Sequence, residues 1–352
     1  MRACLAASAM LPLVLGAAAA YAHPLAPAAL ILRELPGAPA GTLEVTWRTS
    51  RVRPRGEQLS PRLPERCVPD PESERELPQE NVVARTWRTR CGEGPLAGLA
   101  NQTVSIDGLE RTETNVFVEV QLRDGRTVSA LLHAQSPSLQ ITEEVSEAHA
   151  TANPGFVTLG VGHLLSGADH VLFVLGLVLL VSRLRDLLWL VSAFTVGHSV
   201  SLALSATGVV QLPSAPVEVV IALSLLWLAL RVLARRAALD AAPPSVRRAA
   251  FVCAAFGLLH GLGFASAFAE SGATGRSLPA ALLGFNVGVE LGQLAIVVPA
   301  ALALALLRRH DDRHHREARV MFVGAYAIGC VSAYFVLERT PSLLAALQGL
   351  AT

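Results

Sequence analysis

Residues 156–181 read FVTLGVGHLLSGADHVLFVLGLVLLV, an apolar run with two imidazoles and one carboxylate set inside it. A helix rises about 1.5 Å per residue, so a run of this length crosses the roughly 30 Å hydrocarbon core of a bilayer. Ionisable side chains at that depth are expensive and mark functional positions. His163 and His170 are separated by about 700° of helical rotation, within about 20° of two full turns. A continuous helix therefore places both imidazoles on one face, with Ser166 between them and Asp169 on the flank.

Asn153-Pro154 supplies an N-cap residue and a proline at the first helical position, just ahead of the run. Further apolar spans follow at 187–209, 217–234, 249–269, 278–307 and 320–337, which with 156–181 makes six. The remaining 341–352 is too short to cross and reads as an interfacial tail. The chain is 52% hydrophobic and 16% charged, with a mean hydropathy of +0.46. Such values belong to a membrane protein, with the lipid bilayer as its first partner.

The chain begins differently. Arg2, an apolar core over 5–20 and the small-x-small run Ala20-Tyr21-Ala22 describe a cleavable secretory signal, residues 1–22. Over 23–150, short alternating runs bounded by Gly and Pro lie at 29–35, 42–48, 81–87, 103–106, 115–122 and 127–133. They predict β-strands and a small extracytoplasmic β-sandwich-like domain, with Trp47 and Trp87 in its core. Residues 51–80, rich in Pro, Arg and Glu, read as a long loop. Of the five cysteines, Cys4 falls in the signal, and Cys253 and Cys330 in apolar spans. Cys67 and Cys91 remain, and an oxidising compartment predicts a disulfide between them. The fold class is thus a membrane all-α, six-helix transmembrane bundle over 151–340, preceded by a signal peptide and an exported β domain.

Arginine placement orients the bundle. Arg183 and Arg185 follow the first span, Arg235, Arg236, Arg247 and Arg248 the third, and Arg308, Arg309, Arg313, Arg316 and Arg319 the fifth. The opposite loops hold only Arg276, with Arg339 at the tail. The positive-inside rule makes the rich loops cytoplasmic and leaves the β domain and the C-terminus outside an inner (plasma) membrane. The net charge of +1, without a basic patch that would track phosphates, excludes nucleic acid as a partner.

Further polar residues occupy the spans: His198 in the second, Glu218 in the third, His260 in the fourth, and Asn286, Glu290 and Gln293 in the fifth. Asn286, Glu290 and Gln293 form a polar stripe opposite a ridge of Gly284, Gly288 and Gly292, and Gly257 and Gly261 form another ridge beside His260. Any one of these can be a packing hydrogen bond. Together with His163, Asp169 and His170 they predict a metal site in one half of the bundle. Imidazole and carboxylate suit Ni²⁺, Zn²⁺ or Co²⁺, and the absence of thiolate or thioether at the stripe argues against Cu(I).

The ordered motifs are His163 with Asp169-His170; Phe194-Thr195 with His198-Ser199; Glu218 with Ala222-Leu223-Ser224; Phe256-Gly257-Leu258 with His260-Gly261-Leu262-Gly263-Phe264-Ala265; and Phe285-Asn286 with Gly288, Glu290 and Gly292-Gln293. This set resembles the HupE/UreJ family, in the branch with an exported N-terminal domain. The resemblance covers about 155–337. It implies a nickel permease rather than an enzyme, with metal handled at His163, Asp169 and His170 and with no fixed cofactor. The exported domain departs from simpler members and implies a periplasmic partner.

Weaker features accompany these. His23, at the expected mature terminus, offers an amine and an imidazole to a metal, together with His133 or His149. The loop 308–319, with His310, Asp311, Asp312, His314 and His315, is most simply a topology-setting loop. No nucleotide-binding loop is visible, so transport would run on the ion's gradient or on protons. The same His, Asp and Ser residues also describe an integral-membrane zinc hydrolase, assisted by Ser166 or Ser199. Paired mid-span histidines describe a haem-binding electron carrier.

Overall fold

The computed structural model describes residues 28–50, 58–78, 82–112, 114–142, 154–210, 212–237, 245–270, 278–307 and 313–350. The expected signal, His23, His149 and His310 to Asp312 lie outside these residues. The strands are β1 (Ala28–Glu34), β2 (Thr42–Ser50), β3 (Ser60–Arg62), β4 (Val68–Pro78), β5 (Val82–Arg90), β6 (Gln102–Asp107), β7 (Val116–Gln121), β8 (Thr127–Leu132) and β9 (Ser138–Ile141). The helices are α1 (Pro154–Ser166), α2 (Ala168–Leu180), α3 (Leu184–Ala206), α4 (Ser214–Ala237), α5 (Val246–Glu270), α6 (Leu278–Leu307) and α7 (Arg313–Leu350). By compactness the described residues fall into two units. One holds the strands with residues up to 158 and those within 266–285; the other holds 159–265 and 286–350.

In the first unit a six-stranded sheet runs β4-β5-β2-β1-β7-β8 and a three-stranded sheet runs β3-β6-β9. Alternation explains how they meet. Leu30 and Leu32, Leu43, Val45 and Trp47, and Val116, Val118 and Val120 sit at every second position, and all join one buried core with Val104, Ile106 and Ile141 of the smaller sheet. Trp87 packs at the margin of that core. The β1 and β7 pair is parallel, from Ala28 opposite Val116 to Arg33 opposite Gln121, while the other pairs are antiparallel. Glu34, buried beneath this pair's end, accepts a hydrogen bond from Arg123 Nε at 2.7 Å.

The expected loop over 51–80 is corrected in part: β3 and β4 lie within it. The β4 sequence VPDPESERELP has two internal prolines, Pro69 and Pro71, and no apolar alternation, so nothing in it signals a strand. It is an edge strand, paired only with β5, and its register shifts between Asp70 and Arg75. An edge position tolerates proline because one row of its backbone groups faces away from the sheet. Arg85 lies 3.9 Å from both Glu74 and Glu76 across this pair, and Arg88 N–H donates to Ser73 Oγ at 2.7 Å. The expected disulfide is present: Cys67 and Cys91 occupy the rung after Val68 opposite Arg90 and are bonded.

Among the described residues five helices, α3 to α7, are long and apolar enough to cross a bilayer, with a sixth passage if α1 and α2 count as one broken span. That break corrects the continuous first helix. α1 and α2 meet at an angle of 73° at Gly167, whose φ of −77° and ψ of 97° leave the helical region. The last span is corrected as well. α7 continues through Pro341 to Leu350, so 341–350 is helix rather than a separate tail. Pro341 has no N–H to offer the Leu337 carbonyl, and Thr340 Oγ1 instead donates back to Val336 O at 2.6 Å.

Candidate metal centre

The break builds the site. Ser166 Oγ donates to Gly162 O at 2.7 Å, Gly167 N–H to His163 O at 3.0 Å, and Val171 N–H to Gly167 O at 3.1 Å, so the chain turns sharply without losing these bonds. A Cβ at position 167 would lie 2.7 Å from His170 Nδ1 and 2.9 Å from His163 O. Only glycine leaves room for the ring. The turn brings His163 and His170 together with ring centroids 4.7 Å apart and nearly edge to face. They meet across a kink, and the shared helical face expected from seven-residue spacing is not the cause.

His198 of α3 completes the group. One ligand nitrogen each from His163, His170 and His198 lie within 4.8 Å of one another. His170 is 7% exposed and His198 fully buried, and the ring centroid of His163 lies 3.9 Å from that of Phe264, the planes tilted by 40°. His260 of α5 stands beside them, its ring 4.9 Å from that of His170.

Partners of the rings fix their chemistry. His260 Nδ1 lies 2.9 Å from Phe256 O, and a carbonyl only accepts, so Nδ1 carries the proton and Nε2 keeps its lone pair. His198 Nδ1 lies 3.2 Å from Asn286 Oδ1, and donation to that amide oxygen again leaves Nε2 as the electron-pair donor. Orienting a ligating imidazole through its other nitrogen is the usual second layer of a metal site. The Nε2 atoms of His170 and His260 are buried without a hydrogen-bond partner among the described residues. Nitrogen donors about 2.0–2.1 Å from one ion lie no more than about 4.2 Å apart, so small ring rotations close the trio onto a common centre.

Glycines set the framework that holds these rings. A Cβ at Gly197 would overlap the Ala254 carbonyl, one at Gly257 the Phe194 carbonyl, and one at Gly261 both Ser201 Oγ and the His198 carbonyl. The backbones of α3 and α5 therefore touch beside His198 and His260, as the Gly257 and Gly261 ridge suggested. On α6, a Cβ at Gly292 would lie 2.8 Å from Leu164 Cδ2.

The other expected site residues are not gathered at the imidazoles. Of the α6 stripe, Asn286 reaches His198. Glu290 Oε1 instead accepts from Ser192 Oγ at 2.6 Å, and Gln293 Oε1 from Thr195 Oγ1 at 2.9 Å. At about 1.5 Å per residue Gln293 stands about 10 Å along the axis from Asn286, so the stripe becomes a ladder against α3 rather than a single ligand set. Glu290 Oε2 and Gln293 Nε2 are buried without partners among the described residues.

Asp169 and Glu218 are drawn elsewhere, to a residue the sequence marked only as a tail cation. Arg339 Nη2 donates to Asp169 Oδ2 at 2.8 Å and Nη1 to Glu218 O at 3.0 Å, while Nε lies 3.8 Å from Glu218 Oε2. The same guanidinium lies 4.9 Å from the Phe335 ring centroid, one turn back on α7. The signal that could have found it was an arginine inside an apolar helix, where a carboxylate partner is the rule.

Among weaker candidates, His133 pairs with Gln135 Oε1 at 2.9 Å and joins no metal group among the described residues. Ser166 and Ser199, the hydroxyls a hydrolase would use, both donate to carbonyls of their own helices. Cys253 is a buried thiol within the apolar core that contains Phe173 and Leu190.

A multi-pass helical membrane domain with a cluster of buried imidazoles defines the class. Residues 139–339, more than half the chain, match the model of the HupE/UreJ protein family, and the chain belongs to that family. The family is associated with nickel and cobalt transport and is one of transporters rather than enzymes. No curated protein and no solved structure matches the chain.

Proposed function

We propose that the protein is an inner-membrane permease or facilitator for a divalent transition-metal ion, with nickel the first candidate and cobalt and zinc the alternatives. The observation that carries this reading is the trio of imidazole nitrogens within 4.8 Å from both sides of the helix break and from α3. Neutral nitrogen donors in an apolar bundle replace part of the hydration shell of a borderline ion, and they hold hard cations such as Mg²⁺ poorly. The metal is cargo, so binding must be reversible. The Asn286, Glu290 and Gln293 ladder along α3 offers oxygen donors to an ion leaving the imidazoles. On this reading the arginine-rich loops mark a cytoplasmic exit side, and the exported β domain faces the entry side, where it would meet a periplasmic partner.

The test is uptake of radiolabelled Ni²⁺, Co²⁺ and Zn²⁺ by cells carrying the wild type or His170→Ala, paired with metal analysis of the purified protein. Uptake of one of these ions by the wild type alone supports the reading. Equal uptake by cells with and without the protein overturns it.

A further inference from the structure

Arg339 lies at the junction of three membrane helices, and none of its contacts is explained by topology. It donates to Asp169, on the first turn of α2, and to the backbone of Glu218 on α4. Its side chain is 19% exposed and that of Asp169 18%. Asp169 is the immediate neighbour of His170 in the chain, and both stand on the first turn of α2. Asp169 has one oxygen on the guanidinium, while Oδ1 is buried with no hydrogen-bond partner among the described residues.

We infer that Arg339 is a resident counter-cation of the metal site: it neutralises Asp169 beside the imidazoles, and the incoming divalent ion binds against its charge. This inference rests on the imidazole cluster being the cargo site. An arginine keeps its charge at every accessible pH, so the guanidinium is a fixed positive charge bonded to the residue next to His170 in the chain. In a medium of low dielectric such a charge weakens cation binding, and the Asp169 carboxylate offsets it. A site left with the carboxylate alone would hold the ion too tightly to pass it on. Asp169 then acts through its charge, as a positioning and balancing residue, and the imidazoles remain the ligands.

Local charge makes an ordering that a ligand role for Asp169 does not. With Glu218 the same in every variant, Arg339→Gln makes the local charge one unit more negative than in the wild type, Asp169→Asn makes it one unit more positive, and the double variant Asp169→Asn/Arg339→Gln leaves it unchanged. Ni²⁺ affinity of the purified full-length protein, measured by equilibrium dialysis with radiolabelled nickel, is expected to rise about tenfold or more in Arg339→Gln and to fall by a similar factor in Asp169→Asn. The double variant is expected to return close to wild type. Recovery in the double variant relative to Asp169→Asn supports the inference even where Arg339→Gln alone does not fold. Equal loss in Asp169→Asn and the double variant makes Asp169 a direct ligand and overturns it, as does an unchanged affinity in folded Arg339→Gln. A wild type that binds no nickel, cobalt or zinc instead overturns the cargo reading on which the inference stands.

Discussion

His163 and His170 face each other across a helix break, their ring centroids 4.7 Å apart, because the residue between the two helices has no Cβ to keep His170 away. Proximity of the two rings is thus a property of Gly167 as much as of the histidines.

Gly167→Ala should damage the site without replacing any of its imidazoles. The new methyl group meets His170 Nδ1 and the His163 carbonyl, and overpacking of this kind costs about 1–3 kcal/mol. Thermal unfolding of the purified protein should shift downward, and nickel retention on dialysis should fall with it.

Loss of an imidazole should be more specific. His163→Ala, His170→Ala and His198→Ala are each expected to lower metal uptake about a hundredfold or more, because the remaining groups cannot replace the ion's hydration shell. Immunoblots of membrane fractions should show normal amounts of each variant. Normal transport by all of them would make the cluster structural.

Asn286→Leu removes the partner of His198 Nδ1 and keeps the bulk of the side chain. Metal affinity should fall about 10–100-fold, the usual effect of losing such an orienting group. Stability of the bundle should fall by about 1–3 kcal/mol, the cost of an orphaned buried donor, and circular dichroism melting against a binding isotherm taken well below the melting range separates the two effects.

The disulfide pins the start of the β4 edge strand to the end of β5. The Cys67→Ser/Cys91→Ser variant should lose about 3 kcal/mol in the exported domain, the amount expected for closing a loop of this size. Limited proteolysis of the full chain should then cut faster within 58–78, with the helices left intact.

The sequence-level reading and the structure part company at identifiable places. Depth, hydropathy and histidine placement were legible because a polar residue in an apolar span is conspicuous, and β1, β2 and β5 to β8 were legible because one of their faces is buried. The helix break was hidden in Ser166-Gly167, since glycine is common in membrane helices and only its contacts reveal a kink. β4 was hidden because an edge strand held by charges and a disulfide needs no apolar alternation. Arg339 was read by its position in the chain, while its meaning lies in Asp169, 170 residues away. The convergence of Glu290 and Gln293 was overestimated because a shared helical face fixes direction and leaves depth free.

The backbones of α3 and α5 meet where Gly197, Gly257 and Gly261 carry no side chain to hold them apart. Two helices locked carbonyl against glycine have no flexible atoms with which to absorb sliding, so His198 and His260 travel together or not at all. Elements joined by longer side chains do have that freedom, as where Gly176 of α2 meets Leu228 of α4. α3 and α5 thus stand as one rigid doorpost, and the freedom to shift lies with the broken passage of α1 and α2.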